Sequence, residues 1–148
     1  MIQIRKSYII ALFVLITVQF GWAQYGNQAQ VTKLAETTTS WNGDTLPTYP
    51  AGQPKITVLK FIIPPKVRLP NHFHTVINSG YMLKGELTVI DVNNETLLLK
   101  EGDVIVELVN KIHHGVNNGD VPVELVVFYA GTTELTNTIL ENPPADNH

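Results

Sequence analysis

From Ile56 to Ala130 the chain is written in short apolar or alternating runs: "ITVLKFII", "GYMLKG", "ELTVID", "ETLLLK", "DVIVELV" and "VELVVFYA". Their length and β-branched content are those of strands. Turn-forming residues separate them, among them Pro64-Pro65, Asn93-Asn94, Glu101-Gly102 and Asn117-Asn118-Gly119-Asp120. No segment of this region sustains the 3.6-residue apolar period of a helix. The pattern predicts an all-β domain, and many short strands at regular spacing leave a sandwich, a barrel or a jelly roll open.

The ends read differently. Arg5 and Lys6 precede the apolar run "YIIALFVLITVQF", which closes at "GWAQ". Basic start, apolar middle and small residue form the pattern of a secretory signal, with cleavage expected after Ala23. The run falls short of the ~18 to 20 apolar residues that span a bilayer. Residues 25 to 54 are rich in Thr, Gly, Pro and Asn and predict an irregular arm with one short strand. The Pro-containing end "ENPPADNH" predicts a frayed tail. The expected organisation is a signal peptide at 1–23, an arm at 24–54, a β domain at 55–131, and a C-terminal strand and tail at 132–148.

With 148 residues, 44% hydrophobic and 16% charged, one core is expected. The net charge is −3, and loss of Arg5 and Lys6 with the leader takes it to −5. No basic cluster suggests nucleic acid as a partner. Cysteine is absent. That excludes disulfides, thiolate ligands and a cysteine nucleophile, so a metal would have to be held by nitrogen and oxygen. No elbow-like motif supports a serine hydrolase. The domain is expected to be periplasmic or secreted, without stable membrane insertion after cleavage.

Four of the five histidines form two clusters, His72 with His74 and His113 with His114. On a strand His72 and His74 share a face, so both rings can approach one ion. His113 can join them only if the fold brings its segment alongside. If the backbone is extended there, His114 points the other way.

The two clusters resemble the two motifs of the cupin superfamily. The first motif runs Gly, five residues, His-x-His, then Glu and Gly. Here it places Lys66, His72, His74, Asn78 and Gly85. The second runs Gly, five residues, Pro-x-Gly, two residues, His, three residues, Asn, and places Gly102, Leu108, Asn110, His113 and Asn117. The resemblance covers residues 55 to 131 and implies a single jelly-roll β-barrel with the metal bound inside by His72, His74 and His113. Asn117 is expected to bond neighbouring backbone in a turn. Homodimers are common in the family, so a homodimer is an expectation of the resemblance.

Asn78 stands where the family has its metal-binding glutamate, and an amide is a weaker, uncharged ligand. Glu107, six residues before His113 and flanked by apolar residues, is the candidate to supply the carboxylate, as a ligand or through a hydrogen bond to a ligand histidine. Its inward orientation depends on which face of its strand is buried. His114 is a rim residue or fallback ligand. Tyr81 and Met82 open the strand after Asn78, and whichever of them faces inward would shape the pocket wall; the alternative for both, and the favoured one, is ordinary core. The implied cofactor is one divalent transition metal, from Fe, Mn, Zn, Ni or Cu. The implied function is a metal-dependent dioxygenase, isomerase or lyase acting on a small polar molecule, or else a non-catalytic module holding a small ligand or the metal itself.

Overall fold

Side chains that alternate in and out force these strands to pair their apolar faces, and the computed structural model, which describes residues 29–141, shows how. The strands are β1 (Pro54–Ile63), β2 (His72–His74), β3 (Ile77–Lys84), β4 (Glu86–Asp91), β5 (Thr96–Lys100), β6 (Val104–Val106), β7 (His113–Val116), β8 (Val123–Thr132) and β9 (Thr138–Leu140). They form two antiparallel sheets, one in the order β1-β8-β3-β6 and the other β5-β4-β7-β2-β9. No helix occurs among the described residues. The all-β jelly roll expected from the sequence is therefore the observed fold. The proposed leader and most of the frayed tail lie outside the described residues.

The core lies between the sheets. Ile63, Met82, Leu87, Val89, Leu99, Ile105, Leu125 and Val127 are buried there. On β8 the alternation is clean: Val123, Leu125, Val127 and Tyr129 point in, and Glu124, Val126 and Phe128 point out. Shifting β8 by one residue against β1 or β3 would turn its buried set to solvent, so burial fixes the register. The outer face of the four-stranded sheet carries Ile56, Val58 and Ile62 of β1, Tyr81 of β3 and Phe128 of β8, each between 38% and 62% exposed.

The turns explain the motif spacing. Gly85 has φ 81° and Gly102 φ 89°, and the two positions where the family has glycine and this chain does not are also left-handed, Lys66 at φ 64° and Asn110 at φ 56°. Asparagine adopts this conformation readily, whereas a lysine there costs roughly 1–2 kcal/mol. Lys66 reaches across to Asn118, whose carbonyl accepts from Nζ at 2.7 Å, and pairs with Asp120 at 2.9 Å. Both contacts are exposed and screened by solvent, so they offset only part of that cost.

Asn117 is fully buried. Its Nδ2 donates to the carbonyls of Ile63 (3.0 Å), Pro64 (3.1 Å) and Val121 (2.9 Å), and its Oδ1 accepts from the Gly119 N–H at 3.0 Å. It thus closes its own turn, as expected, and also ties that turn to the end of β1, more than fifty residues away in sequence.

The arm does more than its composition suggests. Instead of a strand it forms a tight turn with a single bridge between Thr39 and Thr45. Trp41 N–H donates to the Val106 carbonyl (2.9 Å), and buried Ser40 Oγ donates to the Glu107 carbonyl (2.8 Å). The arm thereby covers the open edge of β6, a place where unpaired backbone would otherwise face water or another chain.

Asn117→Ala removes a donor that satisfies three carbonyls at once. It is expected to lower unfolding stability by about 3 kcal/mol, whereas Asn118→Ala at the exposed neighbouring position changes it by less than about 0.5 kcal/mol. Urea titrations of the two variants check this, and equal midpoints would contradict the assigned role of Asn117.

Candidate metal centre

β2 is only three residues long, yet it sits between β7 and β9, and its register sets His72 directly opposite His113. His72 and His74 share the inner face, as period-2 alternation requires. His113 comes from the neighbouring strand, so the fold supplies the adjacency that the sequence could only presuppose. The three rings lie with centroids 4.5 to 5.0 Å apart. One ring nitrogen from each falls within 4.8 Å of the others. Two nitrogens bound to one ion at about 2.1 Å can be at most about 4.2 Å apart, so this cluster is within a small adjustment of ligation.

Each ring is oriented through Nδ1. His72 Nδ1 donates to the Pro70 carbonyl at 2.9 Å and His113 Nδ1 to the Lys111 carbonyl at 2.9 Å. A carbonyl only accepts, so the proton must be on Nδ1, and Nε2 keeps its lone pair. His74 Nδ1 lies 3.0 Å from Thr138 Oγ1 on β9. This is the outer support that metal-binding imidazoles use. It needs residues 70, 111 and 138, none of which stood out in the sequence, and a backbone carbonyl leaves no residue-type signal.

Glu107 follows β6 directly and shares its inner face with buried Ile105. That settles the orientation left open by alternation. Its Oε2 stands 3.4 Å from His113 Nε2, too long for a good hydrogen bond, and both atoms are buried without a hydrogen-bond partner. The carboxylate faces the Nε2 side of the cluster. The Nδ1 atoms are already engaged, so Glu107 does not orient a histidine from behind as one of the two expected roles required. Nor is it within 4.8 Å of all three donor nitrogens. Two orphaned, buried atoms, a lone pair and a carboxylate oxygen, facing one another across a tri-imidazole cluster, fit a divalent cation between them.

The other sequence candidates are placed elsewhere. Asn78 is buried on β3, opposite Tyr129, and its Nδ2 donates weakly to the Val76 carbonyl at 3.4 Å. It does not line the cavity. Its own carbonyl accepts from Glu107 N–H at 3.1 Å, so the motif amide and the carboxylate are neighbours on adjoining strands. His114 lies on the outer face of β7, opposite Ile90. Its ring is outside the cluster. Tyr81 and Met82 do not form the pocket wall: Tyr81 points outward at 38% exposure, and Met82 is fully packed in the core. An inward residue of β3 at this level is spent on core packing. The aromatic wall is instead Tyr129 of β8, whose ring lies 5.6 Å from that of His74 and edge-on to it. In the sequence Tyr129 was indistinguishable from any other inward residue of an apolar strand.

Between the sheets, the cluster opens on a cavity of about 180 Å³. Its walls are mainly aliphatic and aromatic, including Phe61, Leu87, Val89, Leu125, Val127 and Leu140, and no lysine or arginine lines it.

With this geometry in view, the comparisons are direct. Residues 59–129 match the family described as "Cupin domain". No curated protein matches the chain. Among solved structures, DMSP lyase DddQ from Ruegeria pomeroyi DSS-3 is 21% identical with a TM-score of 0.53, over 62% of this chain and 45% of that one. An uncharacterized conserved protein with a double-stranded β-helix domain from Klebsiella pneumoniae is 20% identical with a TM-score of 0.51, over 65% of this chain and 86% of its own. The match thus spans less than half of the lyase's length, and both likenesses speak to the fold. Together with the family match they place the chain in the cupin superfamily.

Burial sets the proton affinities. Desolvation, with repulsion from the neighbouring rings, lowers His74 to about 3. Desolvation also lowers His113 to about 4, and it lowers His72. These rings are neutral in the folded protein at pH values where the unfolded chain, with its ordinary 6.5, binds protons. The stability they contribute is complete above about pH 6.5 and is lost as pH falls toward the folded values. Glu107 works in the opposite sense. Desolvation raises it from 4.5 to about 7, so its contribution is complete below pH 4.5 and is lost as pH rises to 7. The histidines outnumber it. The urea midpoint of metal-free protein is therefore expected to fall as pH drops from 6.5 to 4.5, and to go on falling until His113 and His74 take up protons in the folded state, near pH 4 and 3. A flat midpoint from pH 6.5 to 4 would contradict the burial of the rings.

Proposed function

We propose that the domain holds one divalent transition metal on the Nε2 atoms of His72, His74 and His113, and that it acts as a metal-dependent enzyme on a small molecule bound in the adjoining cavity. The observation that carries this reading is the convergence of three oriented imidazoles beside the orphaned Glu107 carboxylate, at the polar end of an otherwise apolar cavity. A bound divalent ion would supply Lewis-acid polarisation of a ligand oxygen. The chain's own residues do the rest. Pro70, Lys111 and Thr138 hold the rings in place, Glu107 offers a hydrogen-bond acceptor beside the ion, and the apolar walls exclude bulk water. The metal's identity, among Fe, Mn, Zn, Ni and Cu, is left to elemental analysis. One observation favours a second reading, a module that holds its ligand without turnover. The motif carboxylate is replaced by Asn78 here, and besides the histidines only Glu107 and the Tyr129 phenol among the residues lining the cavity can act as acid or base.

Elemental analysis of protein purified without a histidine tag tests the metal. Near-stoichiometric occupancy is expected. Alanine at His72, His74 or His113 should strip most of it, whereas His114→Ala should leave it. Glu107→Gln should weaken metal affinity by about 10- to 100-fold, the scale typical of groups supporting a metal site. Metal loss in His114→Ala with retention in His113→Ala would overturn the assignment. Oxygen-consumption and ligand-conversion assays on the loaded protein separate the enzyme from the module.

Export and self-association belong to the same reading. The leader-like N-terminus supports placement in the periplasm or outside the cell. The apolar side chains displayed on the outer face of the four-stranded sheet support a homodimer. Protein recovered from the cell envelope is expected to begin at Gln24 by intact mass and to sediment as two copies. A chain still carrying Met1, or a monomer at micromolar concentration, would count against the respective half.

A further inference from the structure

The cavity, taken with its one charged polar partner, narrows the ligand. Its volume of about 180 Å³ is near that of cavities of about 150 Å³ that take up benzene, so it suits a ligand of roughly six to ten non-hydrogen atoms. Polarity is confined to one end. His72, His74, His113, Glu107 and Thr138 cluster together, with Tyr129 edge-on to His74. Beyond them the lining is apolar, and without a lysine or arginine it offers no partner to a second anionic group on the ligand. A charge buried there without a partner would cost several kcal/mol.

The polar end also has a specific deficit. The Nδ1 atoms are engaged and cannot serve a ligand. Glu107 Oε2 is buried and accepts no hydrogen bond. Because a buried acceptor left empty is costly, the ligand's head group should bring a donor to it. A hydroxyl satisfies this, since its oxygen would face an ion held on the Nε2 atoms while its hydrogen points to Glu107.

We propose that the cavity takes a compact, otherwise apolar molecule with a single hydroxyl or enol head, of the size of a phenol, with the head at the histidine cluster and its O–H donated to Glu107. This rests on the metal-site reading and replaces the small polar molecule expected from the sequence. Dicarboxylates long enough to carry the second group to the apolar end are disfavoured by the lack of a lysine or arginine there. Purely hydrocarbon molecules fit the walls but leave Glu107 unsatisfied.

The test uses the full mature chain loaded to saturation with cobalt(II) and titrated separately with phenol, toluene and succinate. Visible cobalt bands and the thermal midpoint are read together. Appearance of cobalt bands on loading establishes the metal site independently, and their failure to appear sinks that reading. Given the bands, phenol should shift them and raise the midpoint by several degrees. Toluene should raise the midpoint less and leave the bands unchanged, and succinate should do neither. In Glu107→Gln at saturating cobalt, the phenol concentration for half-maximal band shift should rise about tenfold, because a weaker amide acceptor replaces the carboxylate. Bands that ignore phenol, or that respond more strongly to succinate, overturn the ligand class while leaving the metal site standing. An unchanged phenol response in Glu107→Gln overturns the role given to Glu107.

Discussion

Three imidazoles and a carboxylate are held out of water between two apolar sheets, and the rest of the site follows from the cost of doing so. Desolvation keeps the rings neutral and disfavours charge on Glu107. Backbone carbonyls at Pro70 and Lys111 take the Nδ1 protons of His72 and His113. Once those bonds are made, the remaining deficit is concentrated on the Nε2 side, where His113 and Glu107 carry unpaired buried atoms. Trp41, Asn78, Asp91 and Asn137 also carry buried atoms without a partner, but those of His113 and Glu107 stand 3.4 Å apart beside two further imidazoles, and that pairing marks where something else belongs.

Two loops and one arm convert that demand into a rigid geometry. Asn117 ties the loop after β7 to the end of β1, so the strand bearing His113 is anchored at its far end by four side-chain hydrogen bonds. The arm does the same for Glu107 through Ser40, bonding the backbone on either side of the carboxylate's strand end. Left-handed turns at Lys66, Gly85, Gly102 and Asn110 reverse the chain within a few residues. A side chain added at Gly85 would come within 3.0 Å of the Pro122 carbonyl, so that turn has room for glycine alone.

The relation between Asn78 and Glu107 shows how a barrel can relocate a charge. The two residues are joined by a backbone hydrogen bond across adjoining strands. Asn78 stays behind the cavity wall, while the end of β6 turns Glu107 toward the histidines. Glu107, at the end of the neighbouring strand, thus reaches the histidine cluster that Asn78 does not.

The strand content, the paired inner-face histidines of β2 and the buried asparagine of the turn were legible in the sequence, because alternation and turn chemistry act over a few residues. The register of the second family motif, rather than local geometry, set His114 apart from His113. The inward aim of Glu107 was not legible, since alternation fixes relative faces but not which face is buried. Tyr129 as a cavity wall, Thr138 behind His74 and the apolar character of the cavity were likewise hidden. Each depends on which strands the two sheets bring opposite one another, and that is decided by long-range packing, where apolar residues on different strands look alike until they are buried together.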